Sequence, residues 1–142
     1  MSDYIPVVLR QQVRRHFRER CAYCQTREAL TASIFEIDHI MPLAAGGETQ
    51  FANLCLACPA CNRHKGIHQK ALDPLTSKSV PLFHPQRDNW SDHFAWSPDG
   101  IAVQGLTACG RATVAALRMN RDQMVRVRRM WVAIGEHPPT QR

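Results

Sequence analysis

Two Cys-x-x-Cys pairs, Cys21 with Cys24 and Cys58 with Cys61, are the residues of this chain that most plainly suit a metal. Thiolates paired at this spacing suit one tetrahedral Zn2+ held by four sulfurs, a closed structural site. Between the pairs lie the adjacent Asp38 and His39, the turn Gly46-Gly47 and Asn53, and Asn62 follows Cys61 directly. An acid, an imidazole and an amide beside a basic helix suit different work. Hard cations such as Mg2+ or Mn2+ want oxygen ligands, so Asp38 is the expected first ligand of a second, catalytic ion. An imidazole takes a proton near neutral pH, so His39 is the expected general base. Together these groups suit metal-assisted attack of water on a phosphodiester. Adjacent residues on a regular strand face opposite ways. The strand must therefore bend or end at His39 for both residues to serve one site, and Pro42 lies close enough to allow that.

The other two thiols are Cys55 and Cys109. Both read as ordinary semi-buried cysteines. Cys55 also forms a Cys-x-x-Cys with Cys58 and is a rival ligand. Cys58 with Cys61 is preferred, because the Pro59-Ala60 turn then leads straight into a helix carrying Asn62. A redox dithiol at Cys21-Ala-Tyr-Cys24 would need a strand before it and a helix after it. Here a helix precedes the motif and a polar loop follows.

The succession I-D-H-I-x-P, G-G, N-L and C-x-x-C-N-x-x-K resembles the HNH nucleases, in particular the zinc-bound members with two Cys-x-x-Cys knuckles. The resemblance runs from the first knuckle to Lys65. It implies a ββα-metal core in which His39 is the first letter of the motif, Asn53 the second and Asn62 the third, a place where many members carry His. On that footing Asn62 is the second metal ligand through its amide oxygen. Asn53 ties down the backbone of the loop carrying His39 and does not touch metal. Some relatives, such as the colicin DNases, add a second helix His four residues after the first; here that position is Gly66. The departure implies few protein ligands and favours Mg2+ or Mn2+ over a tightly held transition metal. Arg63 and Lys65 are expected to neutralise phosphate, and Glu36 shares the strand face of Asp38. The chain from Leu82 onward looks like an extension found on small bacterial HNH proteins.

The elements that must position these groups follow from pattern. Pro6 opens a helix to about Arg18, with Leu9, Val13 and Phe17 as its apolar stripe. Arg14 and Arg18 on its other faces are candidate phosphate contacts. Residues 31–40 read as a strand with Phe35 and Ile37 on a dry face and Glu36 and Asp38 on an acidic one. Residues 51–56 return as a second strand, and Pro59 to about His68 form a short helix. Residues 69–92 read as a long irregular connection. Phe94-Ala-Trp96 and Ile101-Ala-Val103 flank the turn Ser-Pro-Asp-Gly as a β-hairpin. Thr107 caps a helix to about Met119. Asn120 and Gln123 form a capping-box pattern for a last helix whose core stripe is Met124, Val127 and Trp131, with Arg121, Arg126, Arg128 and Arg129 making it basic. The end from Gly135 reads as frayed.

The expected fold is thus α+β: a ββα-metal core with a structural zinc, an N-terminal helix, and a C-terminal β-hairpin plus two helices. Residues 1–68 would form the nuclease core and residues 69–142 the extension packed on it. At 142 residues the core is modest, and a metal staple would aid stability. Eighteen Lys and Arg against 12 Asp and Glu give a net charge of +6, which favours an anionic partner. DNA is the expected partner. No apolar run is long enough to span a membrane, and M-S-D-Y-I-P lacks the pattern of a secretion signal, so a cytoplasmic protein is expected, and the resemblance implies a bacterial or phage origin. The competing reading is a non-catalytic, zinc-stabilised nucleic-acid-binding module. It would leave Asp38, His39, Asn53 and Asn62 idle.

Overall fold

Three two-stranded antiparallel sheets and five helices make up the described part of the chain, residues 4–140 of a computed structural model. The fold is α+β. The chain divides into two compact units, one running to Gln69 and including His84–Asp88, the other comprising Lys70–Phe83 and the chain from Asn89.

In the first unit, α1 (Val7–His16) buries Val13 completely, with Leu9 and Phe17 half-buried beside it. β1 (Glu36–His39) pairs antiparallel with β2 (Leu54–Ala57), placing Asp38 opposite Cys55 and His39 opposite Leu54. All four residues of β2 are fully buried. The backbone of the first knuckle joins this hairpin, the Ala22 N–H donating to the Leu56 carbonyl at 2.7 Å. α2 (Pro59–Lys65) starts with Pro at its first position, and the Cys58 thiol is its cap, accepting from the Cys61 N–H at 3.4 Å.

Two expectations for this hairpin are corrected. β1 is shorter than residues 31–40, because Thr31 and Ser33 curl on themselves: the Ser33 N–H donates to the Thr31 hydroxyl at 3.2 Å, competing with extension. Its faces are also not dry and acidic as the alternation suggested. Asp38 is buried at 7 % exposure, whereas Ile37 is only half-buried. The carboxylate is inside because a buried cation is there to receive it. The loop between the strands turns at Gly46, whose φ of 91° is left-handed. At Gly47 a Cβ would lie 1.9 Å from the Met41 carbonyl oxygen, so no larger residue fits.

The second unit contains more regular structure than its sequence suggested. Residues 69–92, expected to be irregular, hold a hairpin of β3 (Lys70–Leu72) and β4 (Ser79–Pro81) and the short α3 (Trp90–His93). Three-residue strands are too short to show a period. Their turn is organised by Asp73, whose carboxylate accepts from the Leu75 N–H at 3.0 Å and the Thr76 hydroxyl at 2.9 Å, and takes both arms of Arg111 at 2.9 Å. β5 (Phe94–Trp96) pairs with β6 (Val103–Gly105) around the Ser97–Gly100 turn. The Thr107 hydroxyl caps α4 (Ala108–Ala116), accepting from the Gly110 N–H at 3.0 Å. α5 (Asp122–Ala133) completes the unit, burying Met124 and Trp131. No helix among the described residues is long and apolar enough to cross a membrane.

Three details differ from expectation. Asn120 does not cap α5; its amide pairs with the Val103 backbone, donating to the carbonyl and accepting from the N–H, both at 2.8 Å. Arg128 is wholly buried and does not add to a basic surface. His137 lies buried against the Trp96 ring at 4.5 Å between centroids, so the described chain beyond Gly135 is packed, not frayed.

Candidate metal centre and catalytic cleft

The four thiols expected to hold zinc come together: the sulfurs of Cys21, Cys24, Cys58 and Cys61 all lie within 4.8 Å of one another. A tetrahedral zinc with Zn–S near 2.3 Å sets neighbouring sulfurs about 3.8 Å apart. Cys24 Sγ and Cys58 Sγ are 3.9 Å apart. Hydrogen bonds from Cys21, Cys58 and Cys61 hold the Cys24 thiol well below its usual pKa, while burial pushes Cys21 up. Four thiols this close are a set of donors that a divalent cation can take over by displacing their protons. Cys55 is outside this cluster. It is buried in β2 with its thiol toward Asp38 Oδ2 at 3.9 Å, and burial raises its pKa.

Asp38 sits in a polar cell inside the unit. Tyr23, fully buried between the two cysteines of the first knuckle, donates its hydroxyl to Asp38 Oδ2 at 2.9 Å. The ammonium of Lys65 lies 3.1 Å from the same oxygen and donates to the His39 carbonyl at 3.2 Å. Burial raises the Asp38 pKa, and the Lys65 charge opposes that rise. Lys65 is only 2 % exposed, so its expected place on a substrate phosphate is corrected: its charge is taken up by a buried carboxylate. The described contacts to Asp38 converge on Oδ2.

His39 ends β1 half-buried, and its Nε2 meets the Thr49 hydroxyl at 2.9 Å. Asn53 grips the loop that follows. Its Oδ1 accepts from the Met41 N–H at 2.8 Å, and its Nδ2 donates to the carbonyls of Met41 at 3.0 Å and Glu48 at 2.9 Å. Asn62, in the first turns of α2, donates Nδ2 to Glu36 Oε1 at 2.8 Å, leaving its own amide oxygen for another partner. Asp38 Oδ1 and the Asn62 amide oxygen are hard donors of the kind Mg2+ or Mn2+ takes.

Of the expected phosphate contacts, Arg63 and Arg18 are exposed. Arg14 is not free: it ion-pairs with Glu28 and lies 3.9 Å from Glu19. The same Glu28 accepts the Phe35 N–H at 2.7 Å, so Arg14 braces the entry to β1. Sequence reasoning missed Tyr23 and Thr49. Tyr23 could have been found from its place inside the knuckle. Nothing in the pattern around Thr49 marks it.

Comparison with known proteins bears on this region directly. The HNH endonuclease family model matches residues 21–67. A curated relative, Septu protein PtuB of Bacillus thuringiensis, is 28 % identical over 109 residues. The match covers 75 % of this chain and 39 % of the relative, so the chain spans about two fifths of that protein's length. No solved structure matches.

Proposed function

We propose, from the match of residues 21–67 to the HNH endonuclease family model, that this protein hydrolyses phosphodiester bonds in DNA with the help of a bound metal ion. The observation that carries the reading is the junction of β1 and its loop: a half-buried imidazole held by a hydroxyl, on a backbone gripped by an asparagine, at the end of the strand that carries Asp38. Cys21, Cys24, Cys58 and Cys61 hold a structural zinc that fixes the first knuckle to α2. Asp38 and Asn62 would hold Mg2+ or Mn2+, which when bound would relieve charge on the phosphate and on the leaving oxygen.

His39 is the general base. With Nε2 against Thr49, Nδ1 is the nitrogen that takes the proton from the attacking water. The new bond forms between that water oxygen and phosphorus, the bond from phosphorus to the leaving oxygen breaks, and that oxygen takes a proton from solvent. Asn53 keeps the imidazole aimed by fixing residues 41 and 48. Lys65 opposes the rise that burial imposes on the Asp38 pKa and holds the His39 carbonyl. Arg63 offers its charge to the substrate phosphate.

The test is supercoiled plasmid incubated with zinc-loaded protein, with added Mg2+, with added Mn2+ and with neither, beside His39→Ala. Wild type should nick or linearise the plasmid only with added metal. His39→Ala should keep its zinc and melting temperature and cut slower by roughly 10²–10⁴-fold. Near-normal cutting by that folded variant would refute the assignment. The pairing of Asp38 with Lys65 favours the second reading, a zinc module that binds nucleic acid without cutting it, which predicts salt-sensitive binding and no cleavage under any metal.

A further inference from the structure

Two carboxylates stand two residues apart on β1, and their surroundings differ. Asp38 is buried against Tyr23 and Lys65. Glu36 stays exposed at the start of the strand, and its Oε1 accepts from Asn62 Nδ2 at 2.8 Å. The fold sets this meeting. The register of the hairpin puts Glu36 opposite Ala57, the last residue of β2. The next residue, Cys58, caps α2 with its thiol, and the Asn62 N–H donates to the Cys58 carbonyl at 3.0 Å. Asn62 is therefore carried by a helix that starts just beyond the strand partner of Glu36.

An asparagine does not by itself fix which end of its amide faces a partner. Rotation about χ2 is broad and roughly two-fold, so either the oxygen or the nitrogen can face a given point. For a hard cation the two are not equivalent. The oxygen has lone pairs to offer, whereas the nitrogen is a donor with two hydrogens. An ionised carboxylate can only accept, so the end of the amide that meets Glu36 has to be the nitrogen. The hydrogen bond is also of the stronger, charge-assisted kind. With the nitrogen held against Glu36, the oxygen is turned to the other side.

We infer that Glu36 is a positioning residue for the metal proposed at Asn62: it holds the amide with its nitrogen toward β1, so that the oxygen is the atom offered to Mg2+ or Mn2+. The inference rests on the reading of Asn62 as a ligand and adds the group that prepares it. Metal binding without cleavage is enough to test it.

The experiment measures Mn2+ binding to the zinc-loaded full chain, from the loss of the free-ion electron paramagnetic resonance signal, beside the melting temperature and plasmid cutting. Glu36→Ala should melt as wild type does, because the side chain is exposed, and should bind Mn2+ about 10–100-fold more weakly, the usual effect of losing a group that orients a ligand. Glu36→Gln keeps an oxygen that can accept from Asn62 and should lose less. Asn62→Asp supplies the discriminating background. Its two carboxylate oxygens are alike, so neither has to be turned toward the metal. Glu36→Ala added to Asn62→Asp should therefore bind Mn2+ at least as tightly as Asn62→Asp alone. If Glu36 acted as a ligand itself, or only through its charge, its loss would weaken both backgrounds alike, and that result would overturn the inference. So would wild-type affinity in Glu36→Ala, a loss in Glu36→Gln as large as in Glu36→Ala, or wild-type protein that takes up no Mn2+. Failure of the nuclease reading looks different: Mn2+ binding that depends on Glu36 in the presence of Asn62, with no cutting of plasmid.

Discussion

Each unit of the molecule buries one long cationic side chain, and the two are satisfied by opposite means. Lys65 in the first unit is a point charge set against a carboxylate, with its remaining reach spent on the His39 carbonyl. Arg128 in the second spreads its planar fork over neutral acceptors: the Met119 carbonyl at 2.7 Å, and the Ile101 carbonyl and Asn120 Oδ1 at 3.1 Å. It also lies over the Trp96 ring, 5.4 Å from the centroid. A guanidinium suits a brace of several carbonyls because its donors are fixed in a plane, while an ammonium suits a single strong counter-ion. The surroundings agree. The second unit packs Phe83, Phe94 and Trp90 with ring centroids 5.1–5.2 Å apart and uses its buried cation to tie a hairpin to two helix ends. The first unit puts thiols, a phenol, a carboxylate and an ammonium in its interior, beside the residues proposed for chemistry. The difference lies in how a buried cation is matched: by a carboxylate in the first unit, by carbonyls and an amide in the second.

The strongest way to break the comparison is to remove the zinc proposed for the four thiols of the first unit. Cys61→Ser, or a strong chelator, should unfold that unit, because binding of structural zinc is folding free energy. The three tryptophans all lie in the second unit and both tyrosines in the first. Near-ultraviolet circular dichroism should therefore lose its tyrosine signal on chelation. A tyrosine signal and a melting curve unchanged by chelation would contradict the claim.

Next come the two cations. Lys65→Met leaves a buried carboxylate without its partner and should destabilise by about 3–5 kcal/mol, as one-sided breaking of a buried pair does. Asp38→Asn combined with Lys65→Met should recover most of that loss, measured by denaturant unfolding. Arg128→Met strands three neutral acceptors and should lose roughly 2–4 kcal/mol. No single acid replacement should rescue it. Recovery of Arg128→Met by removing one carboxylate would erase the distinction between the units.

A smaller effect concerns acid. The guanidinium of Arg111 beside Asp73 holds its carboxyl well below the usual carboxylate range. A depressed folded value means the stabilisation is present above the ordinary Asp pKa, near 3.9, and is lost as pH falls toward the folded value. Melting of wild type monitored by tryptophan should fall as pH drops through that window, and Asp73→Asn should flatten the fall. An equal slope in both proteins would remove Asp73 as the cause.

The smallest expected change is at Thr49. Thr49→Val removes the hydroxyl against His39 Nε2 and should slow cleavage by roughly tenfold, less than the roughly 10²–10⁴-fold that loss of the base itself costs. Thr49→Ser should keep near-normal rates. A Ser variant as slow as the Val variant would point to packing and away from the hydrogen bond.

Much of the metal centre is legible in the order of residues. Cysteine spacing gives the two knuckles but leaves Cys55 as a rival to Cys61, and the Pro59-Ala60 turn into α2 favours Cys58 with Cys61. Helices α1, α2 and α4 and the β5–β6 hairpin also follow from local signals: proline at a helix start, a threonine cap, a Pro-Asp-Gly turn. These are properties of a few neighbouring residues, and the sequence carries them directly. What only the tertiary structure decided is which polar groups are inside. Alternation along β1 points Asp38 outward, yet it is buried because Lys65 arrives from α2 and Tyr23 from the first knuckle. Arg128 reads as one of several surface arginines, yet it lies in the interior because the Met119 and Ile101 carbonyls and Asn120 converge on it. The free energy of burying a charge depends on partners brought from distant parts of the chain, and no local pattern records where those partners will be.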